Sequence, residues 1–366
     1  MKKSLIIPSA LGAMALALGG CATPPPATTA PATPGASASV AAVDYTACMV
    51  SDAGGFDDKS FNQTAYKGLT DAKAQLGVKT NEIQSTDAKD YAANVQAMVK
   101  ADCDLIVTVG FALGDATVAA AKANPDIDFA IVDESPATKL DNLKPLVFNT
   151  AQAAFQSGYL AAALSATGKV GTFGGAPYPT VTIFMDGFTQ GVSYFNKAKG
   201  KSVQVLGWNA AKQDGSFIPG SNPFGDVAGG KQQATNLVAQ GADILLPVAG
   251  PSGEGALQVA KASGGKVASL WVDTDGCVSA ADYCPVIPTS VEKTMDLAVF
   301  ETIKSGVAKT FSSDPYIGTL ENGGVKISAF HEWDAKVTAE TRSELDKIKA
   351  DIISGAIMIE SKAQPK

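Results

Sequence analysis

The fold is decided by the stretch LIVTV, residues 105–109, a short apolar run without the alternation of apolar and polar residues typical of a half-exposed strand. Such a run indicates a strand that is buried on both faces, as in a parallel sheet covered by helices. Helical patterns flank it at 91–100 and 115–123, and another apolar run follows at 129–132. This order of elements predicts a doubly wound α/β sheet.

Upstream of this stretch, residues 61–76 have apolar positions that recur every three or four residues, with charged residues between them. This spacing predicts an amphipathic helix. Strands are predicted at 45–50 and 81–84, so the first part of the globular region has the order βαβαβαβ. The apolar positions of the helix are Phe61, Ala65, Leu69, Ala72 and Leu76.

The same order of elements starts again near residue 150, which predicts two similar lobes, 45–149 and 150–285. The tail is too short for a third domain, so we expect it to complete lobe 1 with about 286–318 and lobe 2 with about 319–366. The elements predicted after residue 150 are helices at 155–166, 184–197, 227–240, 255–263, 291–305 and 339–353, strands at 169–174, 203–208, 243–248 and 267–272, and a strand pair around 316–327.

The N-terminal residues 1–20 have the features of an export signal, because Lys2 and Lys3 precede an apolar run at 5–18 that is too short for a membrane span. The run ends in LGGC, which resembles the lipobox of bacterial lipoproteins and implies lipidation of Cys21. The alternative is a plain secretory peptide with an incidental cysteine. Residues 21–44 are rich in Ala, Pro and Thr, a composition that cannot form a core and predicts a tether.

Composition excludes several classes of protein. The chain has 366 residues and 46% hydrophobic residues, enough for two folded domains. It has 29 Lys and Arg against 36 Asp and Glu, a net charge of -7, which is the wrong sign for a nucleic-acid partner. The single histidine, His331, has no second imidazole for a metal cluster and no apparent catalytic partner. We therefore expect no metal and no cofactor.

Four cysteines besides Cys21 fit an exported protein, because disulfides form in oxidising compartments. Four cysteines allow three pairings. The sequence favours Cys277 with Cys284, which are separated by a short loop after a predicted strand. Cys48 lies inside an apolar run, where we expect a free buried thiol, and the pairing of Cys103 stays open.

The stretch SDAGGFDDKSFNQ, residues 51–63, lies between the first strand and the first helix, at the sheet edge where such folds bind ligands. It resembles the opening signature of the basic membrane protein family of lipoproteins, the purine nucleoside receptors that serve ABC importers. Further resemblances follow in order along the chain: Gly187-Phe188 with Gly191, residues 241–250, residues 272–275, and residues 289–291 with Lys293 and Asp296.

This resemblance implies a type I periplasmic-binding-protein fold, with two doubly wound lobes joined by a hinge. It implies a lipid-anchored, extracytoplasmic protein, attached to the membrane only through its N-terminal lipid and expected to be a monomer. It further implies that the protein is not an enzyme. The protein would capture a purine nucleoside, such as inosine, guanosine or adenosine, and deliver it to an ABC permease.

The resemblance also implies roles for individual residues. Phe61 and Phe184 are expected to stack on the base, Asp133 to accept hydrogen bonds from the base edge, and Gly250 to contribute its backbone. The side chains expected to bind the ribose hydroxyls are Asp52, Asn62, Asp273 and Lys293.

Without the resemblance, the residues of the 51–63 stretch have simpler roles. Asp57 and Asp58 are suited to cap the amides of the following helix, and Phe61 is in phase with the core face of that helix. Three other functions stay open: a sugar or signalling-molecule receptor that feeds a sensor, a surface adhesin, and a nucleoside hydrolase. The hydrolase is disfavoured because the stretch lacks the leading aspartate of the hydrolase calcium loop and needs further carboxylates on the metal.

Overall fold

The computed structural model describes residues 41–365 of the chain. The predicted signal peptide, the predicted lipidation site Cys21 and all but the last residues of the predicted tether lie outside the described residues. None of the helices in 41–365 is both long and apolar enough to cross a membrane.

The described part of the chain alternates strands and helices along most of its length. The strands are β1 (Thr46–Ser51), β2 (Lys79–Ile83), β3 (Leu105–Val109), β4 (Asp128–Val132), β5 (Leu143–Phe148), β6 (Lys169–Gly174), β7 (Gln204–Leu206), β8 (Trp208–Asn209), β9 (Asp214–Gly215), β10 (Ile244–Val248), β11 (Ala268–Ser269), β12 (Trp271–Asp273), β13 (Ser290–Lys293), β14 (Tyr316–Gly318) and β15 (Val325–Ile327). The helices are α1 (Phe61–Leu76), α2 (Tyr91–Lys100), α3 (Gly114–Ala123), α4 (Ala151–Leu164), α5 (Pro179–Lys199), α6 (Val227–Ala239), α7 (Glu254–Ala262), α8 (Gly276–Ser279), α9 (Met295–Val307) and α10 (Ala339–Ile353).

The first sheet has six parallel strands in the order β14-β5-β4-β3-β1-β2. All five residues of β3 are buried, because β3 lies inside the sheet and helices cover both of its faces. The reversal of strand order between β1 and β3 is the place where open α/β sheets form ligand crevices. The doubly wound sheet predicted from residues 105–109 is confirmed.

The second part of the chain forms a parallel sheet, β11-β10-β6-β7, and a three-stranded sheet, β12-β13-β15, in which β15 is antiparallel. Helices α4 and α5 pack closely against each other because glycines, which have no side chain, lie at their contacts. A Cβ on Gly158 would lie 2.1 Å from the Phe188 carbonyl oxygen, and one on Gly191 would lie 2.0 Å from that of Phe155. Any larger residue at these positions would force the helices apart.

The predicted helix at 291–305 is wrong at its start. Residues 290–293 form β13, which pairs with β12 and β15, and α9 begins only at Met295. Val291 is fully buried between the two neighbouring strands, so tertiary pairing decides its conformation. Consequently Lys293 lies at the end of a strand and not on a helix.

The tail contributes to both sheet systems. Helix α9 packs against α1, where a Cβ on Gly68 would lie 2.4 Å from the Asp296 carbonyl oxygen, and β14 joins the first sheet. Strand β15 then pairs with β13, and α10 packs against α4. The lobe boundaries stay a prediction; β13, in the segment assigned to lobe 1, pairs with β12 of the segment assigned to lobe 2.

The structure contains two disulfides among the described residues. Cys277 bonds to Cys284. Cys48 bonds to Cys103, so the expectation of a free thiol at Cys48 is wrong. The physical reason is the register of the first sheet: Cys48 in β1 pairs with Ile106 in β3, which brings it beside the turn that holds Cys103.

Candidate functional site

A cavity of about 420 Å³ opens at the carboxyl ends of β1, β3, β4, β10 and β12. Its walls come from the first sheet and from the two sheets of the second part of the chain. All eight residues expected to bind ligand line this cavity, although their individual roles stay predictions: Asp52, Phe61, Asn62, Asp133, Phe184, Gly250, Asp273 and Lys293.

The loop before α1 is held by Asp58. Its carboxylate accepts hydrogen bonds from the backbone amides of Ser60, Asn62 and Gln63, at 2.9, 2.9 and 3.1 Å, and so caps the helix. Asp57, also expected to cap, accepts no hydrogen bond from a helix amide within 41–365. Burial raises the pKa of Asp58 to about 6, although the hydrogen bonds it accepts oppose the shift.

Asp52 follows β1 and turns one carboxylate oxygen, Oδ1, toward the loop. This oxygen accepts from Asn62 Nδ2 at 2.7 Å and from the Gly54 amide at 3.1 Å. Its second oxygen, Oδ2, accepts from no donor in the described part of the chain, and Asn62 Oδ1 is buried without a partner there. Burial raises the pKa of Asp52, helped by the charge of Asp273 and opposed by the hydrogen bonds from Asn62 and Gly54 and by Lys293. Two acceptor atoms therefore remain for a ligand that donates hydrogen bonds.

Lys293 lies between two aspartates. Its Nζ is 2.5 Å from Asp133 Oδ2 and 3.0 Å from Asp273 Oδ1, and only 3% of its side chain is exposed. Ser60 Oγ donates to the other oxygen of Asp273 at 2.8 Å. Burial lowers the pKa of Lys293, but the two carboxylates outweigh burial and raise the pKa overall. This ammonium is therefore charged, and it lies between the two carboxylates.

The aspartates and the lysine meet because each lies at a strand end. Asp52 and Asp133 directly follow β1 and β4, and Asp273 and Lys293 are the last residues of β12 and β13. Asp133 and Asp273 have left-handed backbones, with φ of 62° and 71°, which turn the chain away from the sheet. Burial raises the pKa of Asp133, opposed chiefly by the charge of Lys293.

The two phenylalanines expected to stack on a base have different surroundings. Phe61, at the first turn of α1, is half-buried and has Lys293 Nζ 4.7 Å from its ring centre. Phe184 is only 1% exposed and packs in the core cluster, with the same Nζ 5.4 Å from its ring. Phe61 is thus the more accessible ring for a ligand.

Sequence reasoning missed four aromatic residues of the lining: Tyr91, Phe111, Tyr178 and Phe224. Tyr178 stacks on Phe111 with ring centres 5.1 Å apart and on Phe224 at 5.9 Å. Phe111 is separated from the end of β3 by a single glycine. The sequence alone indicates this position, because residues just after a buried parallel strand lie at the edge of the sheet where ligands bind. Phe224 lies in an irregular segment before α6, where no periodic pattern indicates its direction.

A clamp of polar contacts joins the loop before α1 to the second part of the chain. Lys59 Nζ is 2.9 Å from Glu254 Oε2, and the Tyr283 hydroxyl donates to Glu254 Oε1 at 3.1 Å. Trp271 Nε1 donates to the Lys59 carbonyl oxygen at 3.1 Å. We call Lys59, Glu254, Tyr283 and Trp271 the clamp; it holds the cavity wall formed by α1 against the wall formed by β12.

His331 is exposed, lies outside this cavity and has an acidic partner. Its Nε2 is 2.7 Å from Asp275 Oδ2. The potential metal-ligating atoms of these two residues and of Cys277 lie within 4.8 Å of one another. However, the Cys277 sulfur is already bonded to Cys284. The three therefore do not form a metal site.

Sequence comparison identifies relatives over nearly the whole described region. The family described as "ABC transporter substrate-binding protein PnrA-like" (Bmp) matches residues 45–363. Basic membrane protein A of Borreliella burgdorferi is 31% identical over 314 residues, covering 84% of this chain and 86% of the relative. The ABC transporter nucleoside-binding protein BmpA of Lactococcus lactis is 29% identical over 338 residues, covering 87% and 90%.

Solved structures support the fold. A solute-binding protein of an ABC transporter system from Aeropyrum pernix K1 superposes with a TM-score of 0.76 at 24% identity, covering 86% of this chain and 92% of that chain. One from Conexibacter woesei has a TM-score of 0.66 at 20% identity, covering 87% and 99%. The predicted periplasmic-binding-protein fold is confirmed.

Proposed function

This chain belongs to the Bmp family of PnrA-like ABC transporter substrate-binding proteins, and from that premise we propose that it captures a purine nucleoside for import. Membership implies two partners, a ligand and a transporter permease, and an extracytoplasmic location. Inosine, guanosine and adenosine are the proposed ligands, and the protein binds them without transforming them.

The observation that carries the proposal is an aromatic ring beside unpaired acceptors in one cavity. Phe61 offers a ring face for a planar base, and stacking of a base on an aromatic side chain contributes about 1–3 kcal/mol. Asp52 Oδ2 and Asn62 Oδ1 lack donors in the described part of the chain, which suits the adjacent hydroxyls of a ribose. A sugar without a base would use the acceptors but leave Phe61 without a role.

The test is to identify the ligand directly and then measure its binding. Mass spectrometry of small molecules released from the purified, denatured protein should detect a purine nucleoside. Calorimetry should give tight binding of inosine, much weaker binding of hypoxanthine and no binding of ribose. Tight binding of ribose alone would support a sugar receptor instead and would overturn the proposal.

We also propose that lipid on Cys21 anchors the protein. Because the cavity lies entirely within 52–293, Cys21→Ala should move the protein from the membrane fraction to the soluble fraction and leave inosine affinity unchanged. Cys48, which bonds to Cys103, is not an alternative lipid site. Retention of the Cys21→Ala protein on membranes after a salt wash would contradict the anchor.

A further inference from the structure

A second cavity of about 320 Å³ adjoins the ligand cavity. Three residues, Phe111, Asp133 and Thr180, line both cavities. The two spaces are therefore separated by the thickness of single side chains, and Asp133 lies at the boundary between them.

The second cavity has an apolar wall and a fixed roof. Val147, Phe148 and Ile183 form much of the wall, and residues 362–365 contribute the roof. The roof is held on α5, because Gln190 exchanges two hydrogen bonds with the backbone of Glu360, at 2.6 and 2.9 Å. Ser361 Oγ also donates to the buried Asp186 carboxylate at 2.6 Å. These contacts hold residues 360 and 361 against α5, so the segment that covers the cavity is packed on the fold although the cavity opens to solvent beside Ser135.

Asp133 has one carboxylate oxygen without a donor from the described residues, at the boundary between the two cavities. Its Oδ2 is occupied by Lys293, whereas its Oδ1 accepts from no donor among residues 41–365. Within the proposed function we keep the role that the family resemblance implies for Asp133, which is to accept a hydrogen bond from the edge of the base. An adenosine with one substituent on its exocyclic N6 keeps one N–H to donate there, and the substituent extends past Asp133.

We propose that the second cavity is a subsite for purine nucleosides that carry a substituent at the edge of the base. The ligand class is N6-substituted adenosines. This inference rests on the proposed function, because it requires the base to lie against Asp133. The apolar wall at Phe148 and Ile183 contacts the substituent, while Phe61 and the acceptors at Asp52 hold the nucleoside as before.

The experiment compares adenosine with N6-benzyladenosine by calorimetry on the mature protein. Wild type should bind the two ligands within about threefold of each other. Ser135 is exposed and lines only the second cavity, so Ser135→Phe should fill that space. This variant should lose about tenfold or more in affinity for N6-benzyladenosine and stay within about twofold for adenosine. Ser135→Ala is the matched control and should behave like wild type.

The outcomes separate the subsite from the proposed function. If wild type binds adenosine but loses about 100-fold with N6-benzyladenosine, the side chains between the cavities exclude the substituent and the subsite is wrong. Equal affinities in wild type with no effect of Ser135→Phe would also overturn the subsite, because the benzyl group would then lie elsewhere. If neither nucleoside binds, the proposed function fails and the subsite fails with it.

Discussion

Two walls of the ligand cavity are built in different ways. The polar wall consists of four residues at the carboxyl ends of four strands: Asp52, Asp133, Asp273 and Lys293. Ion pairs join Lys293 to Asp133 and Asp273, and hydrogen bonds hold Asp52. The aromatic wall, Phe111, Tyr178 and Phe224, stands on loops and at a helix start, and its rings hold one another by stacking. The polar wall therefore depends on the sheets themselves, whereas the aromatic wall depends on the segments between elements. Removing the central charge of the polar wall should therefore reduce stability, whereas removing a ring of the aromatic wall should chiefly reduce affinity.

The largest effect is expected from removing the central charge of the polar wall. Lys293→Met leaves the buried carboxylates of Asp133 and Asp273 without their ammonium, which costs about 3–5 kcal/mol of unfolding free energy. Urea unfolding of the ligand-free protein measures this loss. The control is Lys326→Met, which replaces an exposed lysine and should change the unfolding free energy by less than about 1 kcal/mol. Equal small losses for both variants would show that the polar wall is not structural.

The second effect concerns Phe61, whose ring lines the cavity. Phe61→Ala should weaken inosine binding about 10- to 100-fold by loss of stacking, with little change in melting temperature. Calorimetry and thermal unfolding on the same samples measure both quantities. A large loss of stability with unchanged affinity would instead assign Phe61 to the core.

Two matched variants sharpen this comparison. Phe184→Ala removes a ring that is 1% exposed and should cost about 3–5 kcal/mol of stability. Phe224→Ala removes a half-buried ring of the aromatic wall and should cost affinity with little loss of stability. A stability loss at Phe224 as large as that at Phe184 would remove the distinction between the walls.

The third effect is a pH dependence of the polar wall. Because burial raises the pKa of Asp52, this carboxyl takes up a proton at a higher pH than an exposed aspartate does. The ionised form accepts from a ribose hydroxyl, so inosine affinity should be full above the raised pKa and fall about tenfold as pH drops through it. Calorimetry from about pH 8 to about pH 4 measures the profile. Asp52→Asn should bind more weakly at high pH and give a flatter profile; an unchanged profile would exclude Asp52 as the titrating group.

The smallest effect is expected at the clamp, outside both walls. Lys59→Ala removes a partly exposed ion pair with Glu254 worth at most about 1 kcal/mol. Because the pair joins the loop before α1 to α7, its loss should raise the dissociation rate of inosine about two- to fivefold and leave the association rate nearly unchanged. Stopped-flow fluorescence measures both rates. The variant Lys67→Ala, on α1 and outside the clamp, is the control, and an equal change there would contradict the clamp.

The sequence predicts the polar wall better than the aromatic wall for physical reasons. Strands buried on both faces, such as β3, are visible as apolar runs, and polar residues at their ends mark the ligand edge. The start of the predicted helix at 291–305 failed because Val291 is fixed by strands distant in sequence. Phe224 follows no period, because the backbone around it is irregular. What depends on pairing or on loop geometry is not encoded in local spacing.

The Cys48–Cys103 disulfide has a consequence for the order of events during maturation. It closes a loop across a sequence separation of 55 residues. In the chain-entropy description this lowers the conformational entropy of the unfolded chain and so stabilises the folded state by about 4 kcal/mol. Both cysteines are buried, at 0% and 2% exposed, so an oxidant cannot reach the thiols once the first sheet has packed. Oxidation must therefore come before or during packing. Chains folded in a reducing cytosol and oxidised afterwards should keep two thiols inside a native-like core and unfold more readily than exported chains.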